Sequence, residues 1–448
     1  MKWKVLIVIS LLTMKVIAQN VIDVHSHIIT PDFLSNLKQD NRLLEEGFPL
    51  PAWNEDSLLT WMDRSGIQTS VLTLAAPQPS SAQTVRATNI AAAELKKKTN
   101  GRIMFCAALP LPNVKEAINE AIFALDHLQA DGIKLATNAD GQYLGNPELD
   151  TLFDTLNQRN AVIILHPHRP NPVNEQVMNQ TPLAMQEYLS ETTRAVANMI
   201  TRNVMARYPN LKIVVPHCGA YLPLAVPRMK SLTPVMQKNK MIGQIDWEKN
   251  LSTLYYDLAG AHSPETIRML LTITKPEHLL YGSDYPYAAP DALTASLNRM
   301  RDYLSSERDL APYKEMILHE NAEWLFGLSA TQPTAKKNDN QMLFRLAEIE
   351  IFPEFIEQFT AAGEEIQQTT MAEEPGVFCL LPVKMNDDAT QFRVIEIYSS
   401  QEAYQHHIQT AHFKRYKQTT NKMVKSLKLN DLTPLNQSML SEIFQNIK

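Results

Sequence analysis

Cysteine is scarce in this chain: Cys106, Cys218 and Cys379 are three in 448 residues, and no pair has CxxC spacing. That excludes a disulfide framework and a thiolate zinc site. Long basic runs are missing as well, and the net charge is -6, so neither nucleic acid nor an anionic membrane surface is an expected partner. No apolar run is long enough for a stable membrane anchor, and no internal repeat is evident. The first strand-like run lacks the glycine-rich phosphate loop of a doubly wound dinucleotide-binding sheet. What remains is ordinary for a globular protein, 44% hydrophobic and 20% charged. The length exceeds the roughly 100–200 residues of one domain, which predicts one large domain plus a smaller module.

At the N-terminus Lys2 and Lys4 precede an apolar run over 5–12, and Val16, Ile17 and Ala18 offer small residues for cleavage. This is the layout of a secretory signal peptide over 1–18. It predicts an exported chain starting at Gln19, without a lipid-anchored cysteine. The alternative, to which the awkward Lys15 points, is a buried first element and a cytoplasmic protein.

From Val21 onward, eight short runs rich in Val, Ile and Leu alternate with amphipathic stretches: VIDVHSH, SVLTLAAP, RIMFCAALP, GIKLATN, AVIILHPH, KIVVPHCG, TLYYDLAG and HLLYGSDYP. Strands buried on both faces read this way, and eight such alternations predict a (β/α)8 barrel over 19–329. In the stretch after the first run, Asn54 or Asp56 is the expected helix cap and Gly66 the stop. A polar linker over 330–341 follows. Residues 342–432 then read strand, helix, hairpin, helix over 401–427 and a short final strand, a ferredoxin-like α+β module, with a tail over 433–448.

Five polar residues fall at the C-terminal ends of the barrel runs: His25, His27, His166, His217 and Asp284. Parallel barrel strands all end on one face, where residues distant in sequence converge. His25 and His27, two apart on a strand, point to the same side. Imidazole is a common zinc ligand that also suits iron, nickel and copper. Three histidines and one carboxylate leave positions open for water or substrate, as in a catalytic site. His25, His27, His166 and Asp284 are therefore the expected ligands of one divalent ion, zinc or alternatively manganese. His217, which ends the sixth run, can stand beside the metal as a proton-transfer group without ligating it. Any one of these histidines alone would read as a core or loop residue; the grouping points to a site.

DVHSH, the ILHPH and VVPHCGA strand ends, YGSDYP and the closing NAEWLFGL together resemble the amidohydrolase superfamily over about residues 21–328. They are most similar to the branch of aminocarboxymuconate-semialdehyde decarboxylase and salicylate-type decarboxylases. The resemblance implies a single metal on the four ligands above, because the bridging lysine of binuclear members has no match at His166. It implies nonoxidative decarboxylation of a small aromatic or enoic acid, with Asp284 or His217 as the catalytic proton carrier. Metal-dependent hydrolysis of a lactone or C–C bond is the alternative, and a non-catalytic exported binding or assembly protein is a third reading. An anionic substrate calls for an arginine. Arg169, three residues past His166, is the nearest in sequence, and His262, after the seventh run, lies on the same face. His168 reads as pocket lining or loop surface; His127, His278 and His319 read as structural.

The C-terminal module resembles the antibiotic-biosynthesis-monooxygenase-like family through EIYSSQEAYQHHIQTAHFKRY, in which His407, His412 and Phe413 fit an H-x4-HF pattern. The resemblance implies pairing of two copies through their sheets, hence a homodimer or larger homo-oligomer, and for some members oxidation of quinols. A decarboxylase fused to such a module could make a phenol that a quinol-type oxygenase acts on further.

Overall fold

The computed structural model describes residues 20–78, 81–174, 181–260, 262–334 and 342–434; the expected signal segment and C-terminal tail lie outside them. The chain divides into two compact units, residues 1–335 and 336–448. Among the described residues no helix is long and apolar enough to cross a membrane.

In the first unit eight parallel strands pair in sequence order: β1 Val21–Ile28, β2 Ile67–Leu74, β3 Ile103–Ala107, β4 Gly132–Ala136, β5 Val162–His166, β6 Lys212–Val215, β7 Leu254–Asp257 and β8 Leu279–Leu280. The ring closes where the N–H groups of Val24 and His27 donate to the carbonyls of Tyr281 and Tyr285, at 3.0 and 2.8 Å. The expected barrel is therefore the observed one. Its helices pack on the outside: Leu58, Trp61 and Met62 from one, Ala117 and Ala121 from another, join Leu72, Phe105 and Ile133 in one core. Asn54 caps the first of these helices through Ser57 N–H, and Gly66 ends it in the left-handed conformation (φ 69°). A second cluster, including Ile22, Val24, Val71, Met104, Ile164 and Leu280, draws on strands all round the ring and fills its interior.

β1 does not keep one phase. Its register against β2 shifts between Asp23 and Ser26, so one extra residue enters the strand. Such a bulge re-aims the side chains beyond it. Before the shift Ile22 and Val24 face the interior; after it His25 and His27 do.

In the second unit β9 Leu343–Ile351, β10 Val377–Lys384, β11 Gln391–Tyr398 and β12 Val424–Leu432 form an antiparallel sheet in the order β10-β11-β9-β12, the ferredoxin-like arrangement. The helix expected over 401–427 is instead two helices, Gln401–His407 and Ala411–Thr420, followed by β12. Thr410 interrupts it by accepting the N–H of Phe413 as a new cap.

Candidate metal centre and its cavity

His25, His27, His166 and Asp284 each bring one ligand atom to a common point, all within 4.8 Å of one another. The strand ends do this: β1 supplies the first two and β5 the third. Asp284 follows β8 in a left-handed conformation (φ 63°), one that a short polar side chain tolerates better than most.

The partners of the imidazoles fix their tautomers. His25 Nδ1–H donates to Asp257 Oδ2 at 2.9 Å. The Thr73 hydroxyl donates to Ser26 O, so it accepts from His27 Nδ1–H at 3.1 Å. His166 Nδ1–H donates to the carbonyl of Pro167 at 2.8 Å. In the neutral form of each ring Nε2 is left with its lone pair. His25 Nε2 is 3.3 Å and His27 Nε2 3.0 Å from Asp284 Oδ1. His25 Nε2 is also buried without a hydrogen-bond partner. Three converging lone pairs, one carboxylate and an orphaned buried nitrogen make a donor set that suits a divalent cation.

Burial pushes His27 down to about 4 and His166 well below the usual imidazole range, which leaves both neutral, as a ligand would be. Burial alone would lower His25 too, but the carboxylates of Asp257 and Asp284 outweigh it and hold its imidazole well above that range; a cation at Nε2 would take the place of that proton. Burial alone would raise Asp284, but the charge of His25 beside it outweighs burial and holds the carboxylate well below its ordinary value. Lys134, inside the barrel on β4, is pushed down to about 8 by burial; its ammonium donates to Gln78 Oε1 at 3.3 Å.

His217 stands beside the cluster, its Nε2 3.5 Å from Asp284 Oδ2 and its Nδ1 without a hydrogen-bond partner. It follows β6 on an unusual turn: His217, Cys218, Gly219 and Ala220 all have positive φ. A cavity of about 450 Å³ opens over His166, His217 and Asp284, walled mainly by Phe48, Tyr188, Leu189 and Tyr287.

Other sequence-nominated residues sit elsewhere. Arg169 does not line this cavity: its side chain donates to Glu45 O at 3.3 Å and its N–H to Glu46 Oε2 at 3.1 Å. His168 is buried with its Nε2 3.0 Å from Glu46 Oε1, and Glu46 also accepts from Tyr188 at 2.7 Å. These contacts fasten the loop after β1 to the loop after β5. His262 lines a neighbouring chamber, with Nε2 2.6 Å from Ser296 Oγ and Nδ1 2.9 Å from Tyr303 OH. His278 meets Leu254 O, and His319 lies between Glu315 and Glu323.

In the C-terminal module His407 and Phe413 line a cavity of about 580 Å³ between sheet and helices. His407 Nδ1 and His412 Nε2 both meet Glu374 Oε1, at 2.8 and 2.6 Å.

Sequence reasoning missed three supports. Asp257 orients His25, and its other oxygen accepts the N–H of His217 at 3.1 Å. It ends β7 as the nominated residues end theirs, so the same rule would have found it. Asp23 accepts the N–H of His25 and both the N–H and hydroxyl of Ser283, at 3.1, 2.9 and 2.5 Å, tying β1 to the turn that carries Asp284. Thr73 is one hydroxyl among many and gave no signal.

Comparison with known proteins places the chain. The amidohydrolase family matches residues 22–328, and the antibiotic biosynthesis monooxygenase family matches residues 342–419. Decarboxylase yanB of Aspergillus niger is 33% identical over 301 residues, covering 63% of this chain and 81% of that protein. The 6-methylsalicylic acid decarboxylase of Penicillium expansum is 28% identical, covering 63% and 90%. A dihydroxybenzoic acid decarboxylase from Polaromonas sp., crystallised with manganese, shares the barrel fold at a TM-score of 0.56 and 20% identity, covering 70% of this chain and 98% of that one. The chain belongs to the amidohydrolase family, in its decarboxylase branch, and carries a C-terminal domain of the antibiotic biosynthesis monooxygenase family.

Proposed function

We propose that the chain is a divalent-metal-dependent decarboxylase of a small hydroxybenzoate-type acid. The observation that carries this reading is the convergence of three imidazole Nε2 lone pairs and one carboxylate on the floor of an aromatic-walled cavity. His25, His27, His166 and Asp284 would hold the ion, zinc or manganese. When bound, it supplies a Lewis acid for the oxygens of the substrate and for the charge that develops as the carboxyl group leaves.

The protein's own part is positioning and proton transfer. Phe48, Tyr188 and Tyr287 enclose an aromatic ring and exclude water from it. The ring carbon bearing the carboxyl gains a proton, the C–C bond breaks, its electron pair returns to the ring and CO2 departs. No oxidant or reductant is consumed. In our reading the proton is carried by the pair His217 and Asp284, whose Nε2 and Oδ2 are 3.5 Å apart.

The test is CO2 release from a panel of hydroxybenzoates by the full chain, beside its metal content. About one ion per chain and CO2 from at least one ortho-hydroxybenzoate are expected. His25→Ala with His27→Ala should abolish both. Unchanged metal content in that variant, or hydrolysis of lactones with no CO2 from any acid, would overturn the reading.

A further inference from the structure

A cation at the cluster would receive one carboxylate, and the cavity over it has no lysine or arginine among its described lining residues to receive a second anionic group. A chamber of about 260 Å³ adjoins it, sharing Gly260, Asp284 and Tyr287. Most polar groups there are already engaged. The Ser283 hydroxyl donates to Asp23. Both nitrogens of His262 are occupied, by Ser296 and Tyr303, and burial pushes this imidazole down to about 4, so it is a neutral wall at neutral pH. Arg299 differs. It lies on the same helix, Pro290–Ser306, as Ser296 and Tyr303, it lines the chamber, and no carboxylate among the described residues pairs with it. It is the one cation among the described residues lining either space.

We propose that Arg299 is an anion subsite beside the metal centre, and that the preferred substrate carries a second carboxylate on its ring. One carboxylate lies at the cluster, as the decarboxylase reading requires; the other is held by the guanidinium, whose fork of N–H donors matches a carboxylate's two oxygens. This rests on that reading for the first carboxylate only. Arg299 is a specificity residue, remote from the bond that breaks.

Calorimetric titration of the metal-loaded full chain with benzoate, isophthalate and terephthalate tests it. None of the three carries the ortho-hydroxyl group of the proposed substrates, so binding is read apart from turnover. The better dicarboxylate should bind about tenfold more tightly than benzoate, one charge-assisted contact's worth. Arg299→Gln should bring the two within a factor of about two, and Arg299→Lys should fall between, as a point charge lacking the fork. The position is exposed on a helix, so both substitutions are expected to fold, which circular dichroism checks. Equal or undetectable binding of all three by the unaltered chain, or discrimination that survives Arg299→Gln, would overturn the subsite. A chain that discriminates these ligands but releases CO2 from no acid refutes the reaction and leaves the subsite standing.

Discussion

Asp257→Asn should cripple metal binding while leaving the barrel folded. Asp257 is completely buried and uses both oxygens: Oδ2 takes the proton of His25 Nδ1 at 2.9 Å, and Oδ1 takes the N–H groups of His217 and Ala259, each at 3.1 Å. An asparagine has one oxygen. Two backbone donors on one side fix where it goes, so the amide NH2 must face His25. The imidazole then has to accept at Nδ1 and carry its proton on Nε2, the atom aimed at Asp284. The ligand lone pair is replaced by a hydrogen. Outer partners of this kind are worth about 10–100-fold in metal affinity, or about 1.4–2.7 kcal/mol. A forced tautomer belongs at the upper end. Competition against a chromophoric chelator reads the affinity, and far-ultraviolet circular dichroism checks the fold. Affinity within about twofold of the unaltered chain would show that His25 does not bind through Nε2, and the assignment of the centre would fall with it.

Gly282→Ala should act on the same histidine from the other side, because an added Cβ would lie 2.8 Å from His25 Cβ and 3.2 Å from that of Asp257. A loss of about 1–3 kcal/mol in urea denaturation is expected from the overpacking, together with weaker metal binding; wild-type values for both would contradict the close approach. Burial pushes His262 down to about 4 in the fold, against about 6.5 for the unfolded chain. The unfolded chain therefore binds the proton first, and stability present above pH 6.5 is lost as pH falls toward 4, by at most about 3 kcal/mol. Urea denaturation of His262→Gln across that window should show a correspondingly flatter profile, and a parallel one would refute the assignment. In the C-terminal sheet, Leu381 and Ile395 are exposed, pair in register and share a face. Pairing of two copies through that face predicts a dimer that Leu381→Glu with Ile395→Glu converts to monomer by light scattering; an unchanged mass would refute it.

The barrel was legible because strands buried on both faces must be continuously apolar, and the eight runs are. The grouping of His25, His27, His166 and Asp284 was legible because a parallel barrel collects its strand ends. The bulge in β1 was not legible. Strict alternation through VIDVHSH puts Val21 on the same face as His25, whereas Val21 packs in the core beneath the outer helices and Ile22 and Val24 take the interior. Register against a neighbour decides that phase, and a single run carries no register. Arg169 shows the opposite error, since three residues beyond His166 the chain has already turned toward Glu45 and Glu46. Arg299 lies 130 residues further on, on a helix whose own pattern says nothing about which loop it faces. Glu374 meets His407 and His412 across a break that only Thr410, as a cap, could have disclosed.

Asp257 also explains how His217, the proposed proton carrier, is held. His217, Cys218 and Ala220 each adopt a left-handed conformation that costs an L-residue about 1–2 kcal/mol, with Gly219 between them at φ 72°. Two turn hydrogen bonds, Gly219 N–H to Pro216 O and Ala220 N–H to His217 O, at 3.2 and 3.0 Å, offset part of that. The other anchor is Asp257 Oδ1, which accepts the N–H of His217 where the turn begins. One buried carboxylate thus sets the tautomer of His25 with one oxygen and pins the backbone of His217 with the other. The two functions are mechanically joined, so substitutions at His25, His217 and Asp257 should not add. Once Asp257 is lost, a second change at His217 has less left to remove, because residues sharing a partner couple by about 0.5–3 kcal/mol.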